Sequence, residues 1–341
     1  MKAIVIKEHG CIDALQVISK PEPICPPNKI KINIKACSIN HLDIWVRNGI
    51  PGLNIPLPLI MGSDASGTIV EVGTDITRSD YYVGQDVIVQ PGTFDVYSLN
   101  GKKENYSSSY GILGETEDGV QAEYVLLKPD NIYPKPNHLS FQEAASIPLV
   151  FMTSYQMLVE RAEIKKDDVV LIYGGTSGVG MAAIQIAKEI GCIVITTVGN
   201  DEKREFVKQL NPDYILNHQG SNLYKEIRKI TNRGVDVVFE HIGPATWKHS
   251  LKVLAIGGRI VTCGATTGNN VTIDLRHLFM KQQSILGSTM GSLSTFRKVI
   301  SKFNNKKYNP YIDSVYTFDE IKQAHIRMED RKQFGKIIVT P

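Results

Sequence analysis

The most constraining feature of this sequence is a short apolar run that stops at a glycine cluster, after which a helical pattern begins. The run covers residues 169–173, the cluster is Gly-Gly-Thr-Ser-Gly-Val-Gly over 174–180, and an Ala/Ile-rich pattern follows over 181–187. A strand that turns through glycines into a helix is the context that a dinucleotide-binding fingerprint requires. A Gly-rich turn with no ligand is the alternative, but strands and helices keep alternating downstream. We therefore predict a nucleotide site here.

The residues of the cluster have separate expected roles. Gly175 is expected to permit the tight turn, Ser177 stands where a second glycine often sits, and Gly180 lets the helix pack against its strand. Main-chain N–H groups at the helix start, with the positive end of the helix dipole, suit a pyrophosphate. The predicted pyrophosphate-binding residues are Gly175, Thr176, Ser177, Gly178, Val179 and Gly180.

Size and charge narrow the class of protein. A chain of 341 residues exceeds a usual single-domain core, so two domains are expected. Lys plus Arg (38) nearly balance Asp plus Glu (35) and are scattered, so we expect no nucleic-acid or membrane partner. No apolar run is long enough to span a bilayer, no signal-peptide pattern is present, and the five cysteines show no CxxC pairing. These features predict a cytoplasmic protein.

The first part of the chain has a strand pattern. Residues 1–146 contain short alternating apolar runs closed by glycine or proline, which predict a compact barrel-like β domain. Within it, residues 90–119 are polar and rich in Asn, Ser and Gly, and include the pair Asn100 and Gly101. This segment is predicted to be a long surface excursion.

The second part alternates strands and helices. Between about residue 147 and residue 288 the helices are expected at 201–210 and 222–231, among others. This alternation predicts a doubly wound parallel sheet whose ligand lies at the carboxyl ends of its strands. The tail after residue 290 is similar to the first domain and is expected to return to it. The predicted domains are 1–147 with 290–341, and 148–289.

Three segments carry a resemblance to a known family. They are residues 40–43 (Asn-His-Leu-Asp), residues 61–67 (Met-Gly-Ser-Asp-Ala-Ser-Gly) and the glycine cluster. With the order of elements, they make the whole chain resemble the medium-chain dehydrogenase/reductase superfamily, which contains zinc alcohol dehydrogenases and zinc-free quinone or enone reductases. The resemblance implies an α/β protein with a GroES-like β-rich catalytic domain, a Rossmann domain and an active site in the cleft between them.

The zinc ligands of this family are missing. Residues 110–124 look like zinc-containing alcohol dehydrogenases, which take catalytic ligands from a cysteine, a His-Glu pair and a second cysteine. Here Asn40 holds the first cysteine position, Ser63 holds the histidine position, and only the acid persists, as Asp64. No cysteine occurs between Cys37 and Cys192, so the family's four-cysteine lobe is also lost. Because a catalytic zinc needs about three Cys, His or carboxylate ligands, we expect no metal.

Two further points concern the missing metal. His41 could in principle replace a ligand, but a histidine beside Asp43 is more often a hydrogen-bonded partner or a cofactor contact. The segment 93–109, which corresponds to the four-cysteine lobe, would be held by packing and hydrogen bonds alone, and its polar composition predicts mobility.

The absence of a Lewis acid favours one reaction over another. An alkoxide that forms during alcohol and carbonyl interconversion would need side-chain or backbone donors in place of the metal. Reduction of a quinone or an activated C=C bond spreads charge onto a carbonyl oxygen that needs only hydrogen bonds. We therefore favour a zinc-independent, NAD(P)H-dependent quinone or enone reductase. An alcohol dehydrogenase is the first alternative, and a non-catalytic dinucleotide-binding sensor is an alternative of another class.

The resemblance also implies residues near the nicotinamide and the substrate. For Thr153, a hydroxyl bonded to its own helical turn is an equally good interpretation. Trp45 is equally suited to a core, and a structural role for Asp64 is at least as well supported as a catalytic one. The candidates near the nicotinamide are Thr153, Cys263, Gly264, Ser288 and Thr289. The candidates on the substrate side are Asn40, His41, Trp45 and Asp64.

The end of the second Rossmann strand bears on the choice of cofactor. An NAD site usually has an acid about 20 residues beyond the glycines, where it binds the ribose hydroxyls. Residues 198–200 (Val-Gly-Asn) occupy that place, and Lys203 and Arg204 follow. Asn200, Lys203 and Arg204 are therefore predicted to favour a 2′-phosphate and NADPH. Asp201 favours NADH instead, because a carboxylate there could bind the ribose hydroxyls. The alternative for Lys203 and Arg204 is that they lie on a solvated helix face and bind no phosphate.

Partners follow from the same resemblance. The expected substrate is a small carbonyl compound, enone or quinone. Many relatives are dimers or tetramers joined through the sheet of the cofactor domain, and the last predicted strand near Ile285 is expected to be exposed. A homodimer or homotetramer is therefore expected.

Overall fold

The chain folds into two units that differ in their strand patterns. The structure, a computed structural model, describes residues 1–77, 79–99, 101–219 and 223–341. Asn100 of the predicted surface excursion and Asn222, the predicted first residue of a helix, lie outside these ranges. The first unit is Met1–Leu149 with Ser292–Pro341, and the second unit is Val150–Gly291.

Both units contain strands and helices. The strands are β1 (Lys2–Ile6), β2 (Gln16–Ser19), β3 (Ile30–Ser38), β4 (Leu59–Ile60), β5 (Asp64–Val72), β6 (Asp86–Val89), β7 (Gly92–Thr93), β8 (Gly111–Ile112), β9 (Tyr124–Leu127), β10 (Ile132–Pro134), β11 (Val169–Ile172), β12 (Ile193–Val198), β13 (Tyr214–Asn217), β14 (Val235–Glu240), β15 (Leu254–Thr262), β16 (Ser284–Gly287), β17 (Ile312–Thr317) and β18 (Lys336–Thr340). The helices are α1 (His41–Asn48), α2 (Phe141–Ala145), α3 (Pro148–Tyr155), α4 (Gly178–Ile190), α5 (Asp201–Lys208), α6 (Leu223–Ile230), α7 (Pro244–Val253), α8 (Leu275–Met280), α9 (Leu293–Asn304) and α10 (Ile321–Glu329). Within the described ranges, no helix combines the length and the apolar character needed to cross a bilayer.

The first unit is organised around the long strand β3. In the main sheet the strand order is β10-β6-β5-β3-β18-β17, and β9 also pairs with β3. The alternating residues Ile30, Ile32 and Ile34 are buried, and each contributes about 2 kcal/mol through the burial of its side chain. The carboxyl-terminal strand β18 pairs with the end of β3, where Ile338 lies opposite Ser38. The tail of the chain therefore belongs to the main sheet of the first unit.

The polar segment of the first unit is held by hydrogen bonds between hydroxyl groups. Ser98 Oγ lies 2.5 Å from the Oγ atoms of both Ser107 and Ser109, which are 3.0 Å from each other. The Asp95 N–H also donates to Ser109 Oγ at 3.0 Å. These contacts join the two ends of the segment 93–109, which corresponds to the four-cysteine lobe of zinc-containing relatives.

The second unit is a doubly wound parallel sheet, as predicted. Its strand order is β13-β12-β11-β14-β15-β16, with parallel pairing throughout. All four residues of β11 are buried, as expected for a central strand covered on both faces. The chain order reverses between β11 and β14, and dinucleotides bind at such a switch point. The sheet thus positions the glycine cluster at the edge where a cofactor is expected.

Candidate active site

The turn between β11 and α4 carries the glycine cluster. Gly174 adopts a left-handed conformation with φ +60°, so the left-handed position falls on Gly174 and not on Gly175. Ser177 precedes α4, and its Oγ accepts the Gly180 N–H at 3.0 Å. Ser177 is therefore the N-cap of the helix. It has a capping role of its own and does not merely stand in for the glycine often found at this position.

Gly175 and Gly180 are required by close packing. A Cβ at Gly175 would lie 2.4 Å from Thr196 Oγ1, and a Cβ at Gly180 would lie 2.3 Å from the Gly174 carbonyl oxygen. Both distances are shorter than real carbon contacts, so a side chain at Gly175 would displace Thr196 and one at Gly180 would displace the backbone. The missing side chains let α4 begin directly against the turn and the neighbouring strand β12.

The start of α4 offers main-chain donors. First-turn N–H groups of a helix have no acceptor within the helix, and the positive end of its dipole lies there. Ser177 takes the N–H of Gly180, while those of Gly178 and Val179 belong to the same turn. The Val179 carbonyl accepts the Ser154 hydroxyl at 2.9 Å, which fixes this turn to the preceding helix. Thr176 is buried within the turn.

At the end of β12 the predicted ribose-binding residues have structural contacts. Asn200 Oδ1 accepts the Lys203 N–H at 2.8 Å, so Asn200 caps α5. Arg204 Nη1 donates to the Ile215 carbonyl at 2.6 Å. The Asp201 side chain is 97% exposed and lies 3.9 Å from Arg204 Nε, so in this structure it points to solvent.

Two residues that the sequence interpretation missed lie beside Gly199. A Cβ at Gly199 would be 3.4 Å from His218 Nε2 and 3.6 Å from Gln219 Nε2. These residues follow β13, which pairs with β12 so that Asn217 lies opposite Val198. Their position directly after a strand was the available signal, but which strand would lie next to β12 was not evident from the sequence.

The ends of β15 and β16 bring together the predicted nicotinamide residues. The Ser288 N–H donates to the Thr262 carbonyl at 2.9 Å, and the Thr262 hydroxyl donates to the Gly264 carbonyl at 3.3 Å. Ser288 Oγ is buried and has no hydrogen-bond partner among the described residues, whereas Thr289 is exposed. Burial raises the pKa of the Cys263 thiol to about 12, so the thiol stays protonated at neutral pH. An unsatisfied buried hydroxyl is an expected feature of a site that binds a polar ligand.

His241 is a further residue that the sequence interpretation missed. It follows β14, and its Nε2 lies 3.0 Å from the Tyr173 carbonyl oxygen. Burial lowers the pKa of His241, so the ring is neutral, with its proton on Nε2 and an acceptor at Nδ1. A Cβ at Gly174 would lie 3.5 Å from this ring, which places His241 against the glycine turn.

Thr153 lies in α3 and makes a contact that the sequence did not indicate. Its hydroxyl donates to Met290 Sδ at 3.8 Å, so the bond to its own helical turn, the equally good interpretation, is not observed. Met290 has φ +45°, an unusual backbone conformation for a residue with a side chain. The two residues join the first and last parts of the second unit.

In the first unit, Asn40 and Asp64 meet a lysine that was not predicted. Asn40 Nδ2 donates to Asp64 Oδ2 at 2.8 Å. Lys336 Nζ donates to the same Oδ2 at 3.1 Å and also to Asn40 Oδ1. All three residues are buried. Burial lowers the pKa of Lys336, and the Asp64 carboxylate opposes that shift. The signal in the sequence was a lone cation in the apolar final strand Lys-Ile-Ile-Val-Thr.

The remaining candidates of the first unit lie on α1. The rings of His41 and Trp45 pack edge-on with centroids 5.2 Å apart. Asp43 Oδ2 accepts the Asn40 N–H at 2.7 Å, and its buried Oδ1 has no partner among the described residues. His41 is therefore not the hydrogen-bonded partner of Asp43. Burial raises the pKa of Asp43 to about 7.

Comparison with known proteins decides the family. Residues 178–305 match the family model described as zinc-binding dehydrogenase, and residues 26–137 match the alcohol dehydrogenase GroES-like domain. Crotonyl-CoA carboxylase/reductase of Cereibacter sphaeroides is 30% identical, over 96% of this chain and 83% of that protein. The chain belongs to the medium-chain dehydrogenase/reductase superfamily. The prediction from the sequence is confirmed.

Other members of the superfamily are similar over the full length. Quinone oxidoreductase of Homo sapiens is 27% identical, over 95% of this chain and 93% of that protein. A solved structure of an NAD-dependent alcohol dehydrogenase is 37% identical with a TM-score of 0.94, and the match covers 100% of both chains. As a member of this superfamily, the protein is an NAD(P)-dependent oxidoreductase that acts on small molecules.

The zinc that many medium-chain dehydrogenases hold does not fit the residues of this member. Asp64 Oδ2 accepts hydrogen bonds from Ser38 Oγ at 3.1 Å, from Asn40 and from Lys336, and Oδ1 accepts the Leu149 N–H at 2.9 Å. These donors occupy the carboxylate, and the ammonium already compensates its charge. In the part of the chain that the structure describes, no three His, Cys, Asp or Glu residues are grouped to hold a metal. An amide and a hydroxyl beside a lysine are a poor zinc site.

Gly180→Ala should weaken cofactor binding and lower the thermal stability. The added Cβ would collide with the Gly174 carbonyl, at a cost of about 1–3 kcal/mol, and would displace the first-turn N–H groups, to which the sequence assigns the pyrophosphate. We expect at least about a tenfold rise in the Kd of NADPH in a fluorescence titration. Gly10→Ala is the control, because its Cβ would make an ordinary 3.7 Å contact with Ala14. Equal Kd values for both variants would contradict the assignment of this turn.

Proposed function

We propose that the protein is a zinc-independent, NADPH-dependent reductase of quinones or of C=C bonds conjugated to a carbonyl. One observation carries the proposal: the Asp64 carboxylate, the one acid retained from the zinc ligand set, accepts hydrogen bonds on both oxygens and is paired with Lys336. A reaction whose charge develops on a carbonyl oxygen needs hydrogen-bond donors and no Lewis acid. The 27% identity to a quinone oxidoreductase supports this substrate class.

The residues of the first unit supply the donors for this chemistry. When bound, reduced nicotinamide supplies a hydride to the conjugated carbon of the substrate. The negative charge then moves to the carbonyl oxygen. One amide N–H of Asn40 donates to Asp64, and the second is the donor that we assign to that oxygen. His41 and Trp45 form the apolar wall for the substrate, and Asp64 orients Asn40. Water supplies the proton that completes the reduction.

The residues of the second unit hold the cofactor. We assign the pyrophosphate to the turn of Gly175, Thr176, Ser177, Gly178, Val179 and Gly180. We assign the nicotinamide end to Thr153, Cys263, Gly264, Ser288 and Thr289. Support comes from the unsatisfied Ser288 hydroxyl, which is suited to a polar group such as the nicotinamide carboxamide. We assign the catalytic domain to 1–147 with 290–341 and the dinucleotide domain to 148–289.

The end of β12 favours a phosphorylated ribose. No carboxylate stands at 198–200, Asn200 caps α5, and Asp201 points to solvent. Lys203 and Arg204 follow at the helix start, with His218 beside Gly199. Cations and ring N–H groups recognise a phosphate, whereas an NAD site uses an acid for the ribose hydroxyls. NADPH is therefore the proposed cofactor, and NADH is the alternative.

Purified protein should reduce quinones or enones with NADPH while it contains only substoichiometric zinc. The check is metal analysis by mass spectrometry together with NADPH oxidation at 340 nm over a panel of quinones, enones and aldehydes. Stoichiometric zinc with alcohol or aldehyde turnover would establish the alcohol dehydrogenase instead, as the 37% identity to such an enzyme allows. NADPH binding without turnover across the panel would favour a dinucleotide sensor.

Lys203→Ala should raise KM for NADPH about tenfold and leave KM for NADH nearly unchanged, since only NADPH carries the 2′-phosphate. Lys208→Ala is the matched control on the same helix, because its ammonium is paired with Glu205 at 2.7 Å. Initial rates with both cofactors measure the effect. Equal losses with NADPH and NADH would place Lys203 outside the phosphate site.

A dimer through the edge of the second sheet is also proposed. β16 is the last strand of that sheet, and the nearby apolar side chains Phe279 and Met280 are 67% and 72% exposed. Exposed apolar patches of this kind mark protein interfaces. Analytical ultracentrifugation should find a homodimer or homotetramer, and Phe279→Glu should shift it to smaller species. A monomeric wild type would contradict the proposal.

A further inference from the structure

Three neighbouring strands converge on one buried polar cluster in the first unit. In the sheet β5 and β18 both flank β3. Asp64 is the first residue of β5, Lys336 is the first residue of β18, and Asn40 follows the end of β3. The pairing of Ser38 with Asp64 on one side and with Ile338 on the other sets this convergence. The three side chains therefore meet because of strand register.

We propose that Lys336 is a positioning residue that acts through Asn40. Its ammonium neutralises Asp64 and holds the Asn40 amide in one orientation, with its second N–H presented to the substrate oxygen. The inference rests on the proposed function and names the residue that compensates the charge of Asp64 beside the proposed donor Asn40.

The orientation of the Asn40 amide follows from the charges on either side of it. A side-chain amide has a carbonyl that only accepts and an NH₂ group that only donates. Here the carbonyl faces the Lys336 ammonium and the NH₂ group faces the Asp64 carboxylate. The flipped amide would set its NH₂ group against the ammonium and its carbonyl against the carboxylate. Both contacts would be repulsive, so the ion pair selects a single orientation.

The cluster holds one buried cation for two buried carboxyls. Burial raises the pKa of Asp43 to about 7, so a large share of this group is protonated at neutral pH. The Lys336 ammonium therefore serves mainly Asp64, which it contacts directly at 3.1 Å. Removing one partner of a buried pair leaves an uncompensated charge, and this is strongly destabilising.

The backbone that carries Lys336 is anchored. Its N–H donates to the Tyr311 carbonyl at 2.9 Å. Gly335 before it has φ +98°, and a Cβ there would lie 2.4 Å from the same Tyr311 oxygen. The backbone that bears the ammonium is therefore held in place. A side chain that orients another one needs such a fixed position.

Three variants separate positioning from a structural role. Lys336→Met leaves Asp64 unpaired and should lower Tm, whereas Lys336→Met combined with Asp64→Asn removes both charges and should recover most of the Tm. We expect the double variant to keep KM for NADPH and to lose kcat about a hundredfold, since misplacement of a donor by about 1 Å has that effect. Lys336→Arg, which keeps the charge, should retain more kcat than Lys336→Met. Lys332→Met, which removes an exposed lysine paired with Asp330, is the control.

Recovery of both Tm and kcat in the double variant would overturn the proposal, because Lys336 would then be needed only for folding. A readout without turnover is the side-chain amide signal of Asn40 in ¹H–¹⁵N spectra, assigned by its loss in Asn40→Ala. In the double variant we expect this signal to shift and its protons to exchange faster with water. An unchanged signal would also overturn the proposal. If the wild type reduces no quinone or enone, the proposed function fails, while the amide signal still decides the role of Lys336.

Discussion

The arrangement of the first unit depends on a buried ion pair. A buried carboxylate is costly unless a cation and hydrogen bonds compensate it, and Asp64 is completely buried. The cation comes from Lys336 on β18, on the far side of β3 from Asp64. The pair thus connects β5 with the last strand of the chain, β18, within one sheet. The ammonium compensates the charge of the carboxylate, and donors contact both of its oxygens.

The second unit depends on two glycines, which have no side chain to obstruct close packing. Gly175 lets the turn approach β12, and Gly180 lets α4 approach the turn, more closely than a Cβ would permit. The N–H groups at the start of α4 are thereby set at the switch point of the sheet, where we propose that the pyrophosphate binds. His241 closes the other side of the turn as a neutral ring bonded to the Tyr173 carbonyl. Close packing therefore requires glycine at both positions.

Sequence reasoning succeeded where the signal was local. The periodicity of residues 169–187 predicted a strand, a turn and a helix, and the structure has all three. It was less accurate on the roles of individual residues. The left-handed position belongs to Gly174, Ser177 caps a helix, and the Thr153 hydroxyl contacts Met290. Each of these details depends on the path of the backbone or on a residue distant in the chain.

By itself, the sequence determined the order of strands and helices, the family and the loss of the thiolate ligands. Periodicity and residue identity are enough for such conclusions, because they need no knowledge of which strands become neighbours. Tertiary structure alone decided that Lys336 meets Asp64, a residue 272 positions earlier. Strand register brings them together, and register is set by burial and pairing over the whole sheet. A lone lysine in an apolar strand has no visible partner until that sheet is formed.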